Sequence, residues 1–295
     1  MMTDCLRGAG AAIITPFAQS GEIDFQSFGR ILDHVSPYLD FLVLQGTTGE
    51  SAVCTTAEKE ALVDFTFQRT EGRCVVVLGI GGNDTKKIKR ELKHFEKYPL
   101  TAVLSVSPYY NRPTQEGIFW HYTALADDST FPIILYNVPA RTASNIKAET
   151  TLRLAENQRI IGIKEASGDI LQCVQILRHR PEDFLVLAGD DAMTVPLIAL
   201  GGDGVISVLA NAFPKEFTQM THFAIRGDFS DAAHYALRWA NLYGLMFEEG
   251  NPTGIKQVMQ ILGLCEKYVR LPMVEASETL ERKLRAEIEL LTRIN

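Results

Sequence analysis

The stretch IIGIKE, residues 160–165, is an apolar run that ends by setting down a lysine, Lys164. Seven other runs share its character: GAAIIT (10–15), FLVL (41–44), CVVVLG (74–79), AVLSV (102–106), FPIILY (131–136), FLVLA (184–188) and GVISV (204–208). Short, nearly continuous apolar runs are the pattern of parallel strands covered on both faces. Amphipathic stretches separate them. Asp24 heads 25–38, Thr55 or Thr56 heads a stretch through Phe67 with Glu58 in its first turn, and Thr114 with Glu116 heads one through Leu125. A capping side chain satisfies a free N–H, and an early acid complements the helix dipole. Eight such alternations predict an α/β fold, a (β/α)8 TIM barrel. A doubly wound sheet is the second reading, and it ordinarily uses fewer strands.

Past residue 225 the strand signals stop. Residues 229–245, 252–262 and 277–294 carry helical patterns, with Gly250, Asn251 and Pro252 breaking the chain between two of them. A chain of 295 residues would divide into two average domains, but barrels of this type use about 250 residues as one. Residues 1–225 are therefore read as the barrel and 226–295 as a C-terminal helical appendage packed on it.

Charged residues make up 22% of the chain, which fits an ordinary globular surface, and the net charge is −7. A negative surface repels phosphate backbones and anionic lipid, so nucleic acid and membrane are poor partners. The five cysteines are odd in number and scattered, with no CxxC pair. That reads as free thiols in a reducing compartment. The N-terminal residues lack a basic segment followed by an apolar one, and no apolar run approaches the ~18 residues of a membrane span. A cytoplasmic location is expected.

Barrels carry their reactive residues where strands end, so the residues after each run decide the chemistry. The second run is followed by GTTGES (46–51). Its glycines allow a tight turn whose N–H groups and hydroxyls could converge on an anion; a plain turn with capping hydroxyls is the alternative. SPYYNRP (107–113) follows the fourth run and puts two tyrosines at the tip of a proline-stiffened loop. They could pack on a neighbouring element, or sit at a subunit contact and share a site. The fifth run ends in Tyr136, and Arg141 lies in the loop after it. The phenol could enter the pocket mouth. The guanidinium could grip a carboxylate through paired donors, or form a surface salt bridge.

Lys164 gives the sharpest signal. Burial disfavours an ammonium, and a neutral amine is the nucleophile that condenses with a ketone. Alternatively the side chain snorkels out or pairs with Glu165. Gly189, Asp190 and Asp191 follow the seventh run, and SVLAN (207–211) ends the eighth. Many barrels bind phosphate in this region, but two aspartates would repel it, so an unphosphorylated substrate is expected; helix capping is the other use for them. The six histidines form no HxH or HExxH spacing, so no metal site is read. The run at 79–82 (GIGG) lacks the third glycine of a dinucleotide fingerprint, Asp84 standing in its place. No cofactor is expected.

GTTGES (46–51), SPYYNRPTQEG (107–117), YNVPART (136–142), IGIKEASGD (161–169), AGDD (188–191) and GVISVLAN (204–211) together resemble the dihydrodipicolinate synthase family of pyruvate-dependent class I aldolases, over nearly the whole chain. The resemblance implies a lyase of lysine and diaminopimelate biosynthesis that condenses pyruvate with L-aspartate 4-semialdehyde. It implies that Lys164 is the Schiff-base lysine, Tyr136 the proton donor and acceptor, and Thr47 and Tyr110 its relay partners. Tyr110 would come from an adjacent subunit of a homotetramer, a dimer of dimers. Thr48 would bind the pyruvate carboxylate, Ile206 would contact pyruvate through its backbone with Gly189 nearby, and Arg141 would hold the semialdehyde carboxylate. A sibling aldolase acting on N-acetylneuraminate or a keto-deoxy sugar acid is the alternative activity, and a non-catalytic pyruvate sensor the alternative class. One departure stands out. Lysine-inhibited members line a regulatory cleft with two histidines and a glutamate, where this chain has Thr56, Lys59 and Lys87. Weak or absent inhibition by L-lysine is expected.

Overall fold

The computed structural model describes residues 3–293. Eight parallel strands pair in sequence order: β1 (Gly8–Ala12), β2 (Phe41–Leu44), β3 (Val76–Gly79), β4 (Ala102–Val106), β5 (Ile133–Asn137), β6 (Ile160–Glu165), β7 (Leu185–Ala188) and β8 (Gly204–Ser207). β8 pairs with β1 and closes the barrel. Every apolar run read from the sequence becomes a strand. The first ends sooner than its apolar residues do: Ile13 still donates to Val43 O at 2.9 Å, but Thr15 has left the sheet and donates its hydroxyl to Gly49 O at 2.7 Å.

Asp24 caps Phe25–Val35 by accepting from Ser27 N, and Thr114 caps Gln115–Asp128 by accepting from Gly117 N. Thr55, not Thr56, caps Thr56–Thr70, with Glu58 completing a reciprocal capping box. The stretch 229–245 is two helices, Phe229–Arg238 and Ala240–Glu248. Trp239 stands between them outside helical geometry, buried and stacked on Phe217 with ring centroids 5.4 Å apart. Helices Thr253–Ile261 and Glu278–Arg293 follow; Ile294, the expected end of the last, lies outside the described residues. Among the described residues no helix is long and apolar enough to cross a membrane.

Two apolar layers surround the sheet. Phe41, Val77, Leu104, Ile134, Leu187 and Ile206 fill the barrel interior, whereas Val76, Leu78, Leu135, Ile163, Val186 and Val205 pack outward against the helices. The interior closes at Phe41 because Gly10 opposite has no side chain; a Cβ there would lie 2.2 Å from the Phe41 ring.

β6 departs from simple alternation. Ile133 pairs with Ile160, but the next residue, Ile134, pairs with Gly162, leaving Ile161 as an extra residue. Ile160 faces the helices, and strict alternation would turn Lys164 the same way. The extra residue reverses the phase. Ile161 joins the interior, Ile163 the outer layer, and Lys164 comes into register with Tyr136, an interior residue.

Gly162 sits in this reversed segment, where a Cβ would lie 2.7 Å from both the Cβ and the carbonyl oxygen of Leu185. Gly162→Ala is expected to lower the unfolding free energy by about 1–3 kcal/mol, the usual cost of overpacking; an unchanged urea midpoint would show that β7 yields freely. A second expectation concerns His121, a buried residue whose Nδ1 meets the Thr85 hydroxyl at 2.7 Å. Burial pushes its pKa down to about 4 from 6.5. Between pH 6.5 and 4 the unfolded chain takes up a proton that the fold does not, so this contribution to stability is present above pH 6.5 and is lost as the pH falls. The stability advantage of the parent over His121→Gln should therefore shrink across that window in denaturant titrations; a constant difference would contradict the assignment.

Candidate active site

Lys164 is 4% exposed, and its Nζ lies 4.5 Å from the centroid of the Tyr136 ring. Among the described residues it makes no hydrogen bond and no ion pair. The acid beside it does not neutralise it. Glu165 falls on the opposite face of β6, where it accepts from Asn137 Nδ2 at 3.1 and 3.0 Å, from Gln172 Nε2 at 2.9 Å and from Ser167 N at 2.7 Å. A buried amine without a carboxylate partner is uncommon in a purely structural role, because desolvation is left uncompensated. Gly189, at the end of β7, makes room for this side chain: a Cβ there would lie 3.1 Å from Lys164 Cε and 2.6 Å from Ala166 Cβ. Ile206 lies buried on β8 with its side chain in the barrel interior.

The loop after β2 is folded tightly beside this centre. Gln45 and Glu50 adopt left-handed backbone angles, φ 55° and 53°. Gly79 permits the approach, since a Cβ on it would lie 2.2 Å from Gln45 O. The N–H groups of Gly49 and Glu50 bond back to Gly46 O and Thr47 O, both at 3.1 Å, so the turn itself uses two of the donors expected to face an anion. The Thr48 hydroxyl is buried and accepts from Asn251 Nδ2 at 3.0 Å.

Asn137 organises the loop after β5. Its Oδ1 accepts from Ile146 N at 2.9 Å while its Nδ2 reaches Asn145 Oδ1 at 2.8 Å and Glu165. This closes the short segment carrying Arg141, whose exposed guanidinium forms no ion pair among the described residues. The surface salt bridge considered for Arg141 is not made.

Thr47, Tyr136, Arg141, Tyr109 and Asn251 line one cavity of ≈ 660 Å³, which extends past Lys59 and Lys87. Lys164 is not among the residues that line it, but its amine lies over the ring of Tyr136, which does. Tyr110 is not brought to this centre within the chain. It is 89% exposed on its loop, at φ 72°.

The two aspartates after β7 divide their roles. Asp190 caps a short turn through Ala192 N at 2.9 Å. Asp191 is buried and reaches across to the segment just after β8, accepting from Leu209 N at 2.7 Å and from Val208 N at 3.2 Å. Burial pushes its carboxyl up to about 6. Among the described residues no group of three or more His, Cys, Asp or Glu could hold a metal ion.

Sequence reasoning missed the C-terminal contribution. Asn251 stands in a Gly-Asn-Pro run that reads as a chain break, and Lys256 lies unremarked in a helical pattern. A polar side chain at a break and a lysine on a face otherwise apolar were the available signals, and neither names a partner some 200 residues away, as the Asn251–Thr48 and Lys256–Glu50 bonds do.

The Dihydrodipicolinate synthetase family profile matches residues 5–291. The chain is 47% identical to the 4-hydroxy-tetrahydrodipicolinate synthase of Flavobacterium psychrophilum, over 94% of this chain and 95% of that one. The chloride-inhibited dihydrodipicolinate synthase of Acinetobacter baumannii, solved in complex with pyruvate, superposes with a TM-score of 0.94 at 33% identity, covering 97% and 99% of the two chains. A dihydrodipicolinate synthase from Cyanidioschyzon merolae with lysine bound gives 0.94 at 34% identity, covering 98% and 99%. With the closed barrel and its C-terminal helices, these matches place the chain in the dihydrodipicolinate synthase family.

Proposed function

We propose that the chain is a lyase that condenses pyruvate with L-aspartate 4-semialdehyde through a Schiff base on Lys164, in lysine and diaminopimelate biosynthesis. The observation that carries this is a buried, unpaired lysine amine beside a tyrosine ring, at the end of a barrel strand. The relatives' name for their activity and the pyruvate bound by the Acinetobacter baumannii protein support it.

The amine adds to the C2 carbonyl of pyruvate, and loss of water leaves an imine. The imine withdraws electrons from the adjacent methyl carbon, which gives up a proton to form an enamine. The enamine carbon attacks the aldehyde, and the new oxyanion takes a proton. Each proton transfer needs a group that both gives and accepts, and the Tyr136 hydroxyl with Thr47 and Tyr110 fills that role. Thr48 and Thr47 receive the pyruvate carboxylate. Ile206 meets pyruvate through its backbone, and Gly189 leaves the space the lysine needs. Arg141, without an ion pair among the described residues, holds the semialdehyde carboxylate.

The family resemblance implies a homotetramer, a dimer of dimers, and Tyr110 completing the relay from a second copy requires at least a dimer. Its near-complete exposure in the single chain supports this. Residues 1–225 hold the chemistry and 226–295 brace it. The five free cysteines suit a cytoplasmic setting.

Borohydride reduction in the presence of pyruvate should trap an adduct on the peptide containing Lys164, and Lys164→Ala should abolish both adduct and turnover; full turnover by that variant would end the proposal. Arg141→Ala should raise KM for the semialdehyde about ten- to hundredfold, the loss of a charge-assisted hydrogen-bond pair, while pyruvate trapping persists. Turnover of N-acetylneuraminate in preference to the semialdehyde would assign the sibling activity instead. Lys87 stands on the outer cavity wall where lysine-inhibited members would offer a carboxylate to the inhibitor's ammonium, and Lys59 beside it is paired to Glu91 at 2.9 Å. L-lysine should inhibit weakly or not at all, and half-maximal inhibition at submillimolar lysine would contradict this.

A further inference from the structure

Glu50 closes the GTTGES loop in a left-handed conformation that L side chains rarely adopt, so something must hold it there. Both carboxylate oxygens are engaged. Oε1 takes the Lys256 ammonium at 2.5 Å, and Oε2 accepts from Arg270 N at 3.0 Å. Lys256 is fully buried on the helix Thr253–Ile261 and also donates to Tyr268 O at 2.8 Å. The Arg270 guanidinium bonds Val53 O at 2.9 Å, Gly21 O at 2.8 Å and the capping-box carboxylate of Glu58. Lys256 and Arg270 both lie over the Phe17 ring, 4.2 and 4.3 Å from its centroid. Four segments distant in sequence thus meet at one ion pair: the loop after β1, the loop after β2, the helix behind Asn251, and the stretch 268–270.

Neither partner reaches the Lys164 amine in any contact, yet their effect arrives at the threonines. Glu50 N is bonded to Thr47 O, and Asn251, five residues before Lys256, holds the Thr48 hydroxyl. A buried ion pair is a poor source of stability, since desolvation opposes the Coulomb gain. It is a good source of direction, because a carboxylate fixed by two donors leaves its backbone one conformation.

We propose that Glu50 and Lys256 are positioning residues of the keto-acid subsite: the pair fixes the Thr47–Thr48 hydroxyls at the distance from Lys164 that pyruvate capture requires. The assignment deepens the Schiff-base reading and rests on it. Its particular consequence is selective. Disturbing the pair weakens pyruvate binding and leaves alone the semialdehyde, which Arg141 holds from the separately anchored loop after β5.

The test compares the parent with Lys256→Met and with the double variant Glu50→Leu/Lys256→Met. Each is assayed for thermal midpoint, for the pyruvate concentration giving half-maximal borohydride trapping on the Lys164 peptide, and for KM of the semialdehyde. The single variant strands a buried carboxylate and should lose thermal stability. The double variant replaces the ion pair with apolar groups and should recover it. Half-maximal trapping should require about tenfold more pyruvate or higher in both, as ångström-scale misplacement of a binding group does, with the semialdehyde KM within twofold of the parent. If trapping in the double variant returns to the parent concentration together with stability, the pair is structural only and the assignment is wrong. A rise in both constants alike would also overturn it. No adduct in the parent chain would instead overturn the Schiff-base reading on which the assignment stands.

Discussion

The phase of one strand decides whether this barrel has a centre. Ile161 occupies a position on β6 with no opposite number on β5. That single extra residue sends Ile163 outward and Lys164 inward. Without it, alternation counted from Ile160 would bury the lysine among the helices, where apolar side chains from the outer layer surround every strand. The insertion also aligns Lys164 with Tyr136, so that amine and aromatic ring meet across adjacent strands.

Once the lysine is inside, the acids must be kept off it, and the fold does so by giving each one another use. Glu165 is turned outward and bound by two amides and a backbone N–H. Asp191 is drawn across to the backbone of Val208 and Leu209. Glu50 is closed off by Lys256 and by Arg270 N. Each carboxylate takes at least one donor from another element of the fold, so engaging the acid also ties those elements together. Among the described residues the Lys164 amine is left without a carboxylate partner.

The same arrangement explains why a helical tail is attached to a complete barrel. Thr253–Ile261 and the segment after it deliver Lys256 and the Arg270 backbone to a loop otherwise held by its own turn and by the Thr15 hydroxyl on Gly49 O. Asn251 adds a direct bond to Thr48 from the same region. The tail therefore acts on the site through polar contacts of high sequence separation, while its apolar residues, such as Trp239 against Phe217, attach it to the outer layer.

The sequence by itself determined the eight strands, their order and several helix starts, because each of those rests on local pattern: apolar runs, capping residues and early acids. It also singled out the lysine, the tyrosine and the threonine-rich loop, since polar residues at the ends of apolar runs stand out without a structure. Direction was not in it. Whether Lys164 pointed to the interior or paired with Glu165 turned on a register offset between two strands, which no single run can display. The pairing of Glu50 with Lys256 and of Thr48 with Asn251, and the crossing of Asp191 to the segment after β8, were likewise settled only when the barrel closed. Those contacts join residues whose chain separation hides any periodicity, and their free energy comes from desolvated geometry that exists only in the assembled fold.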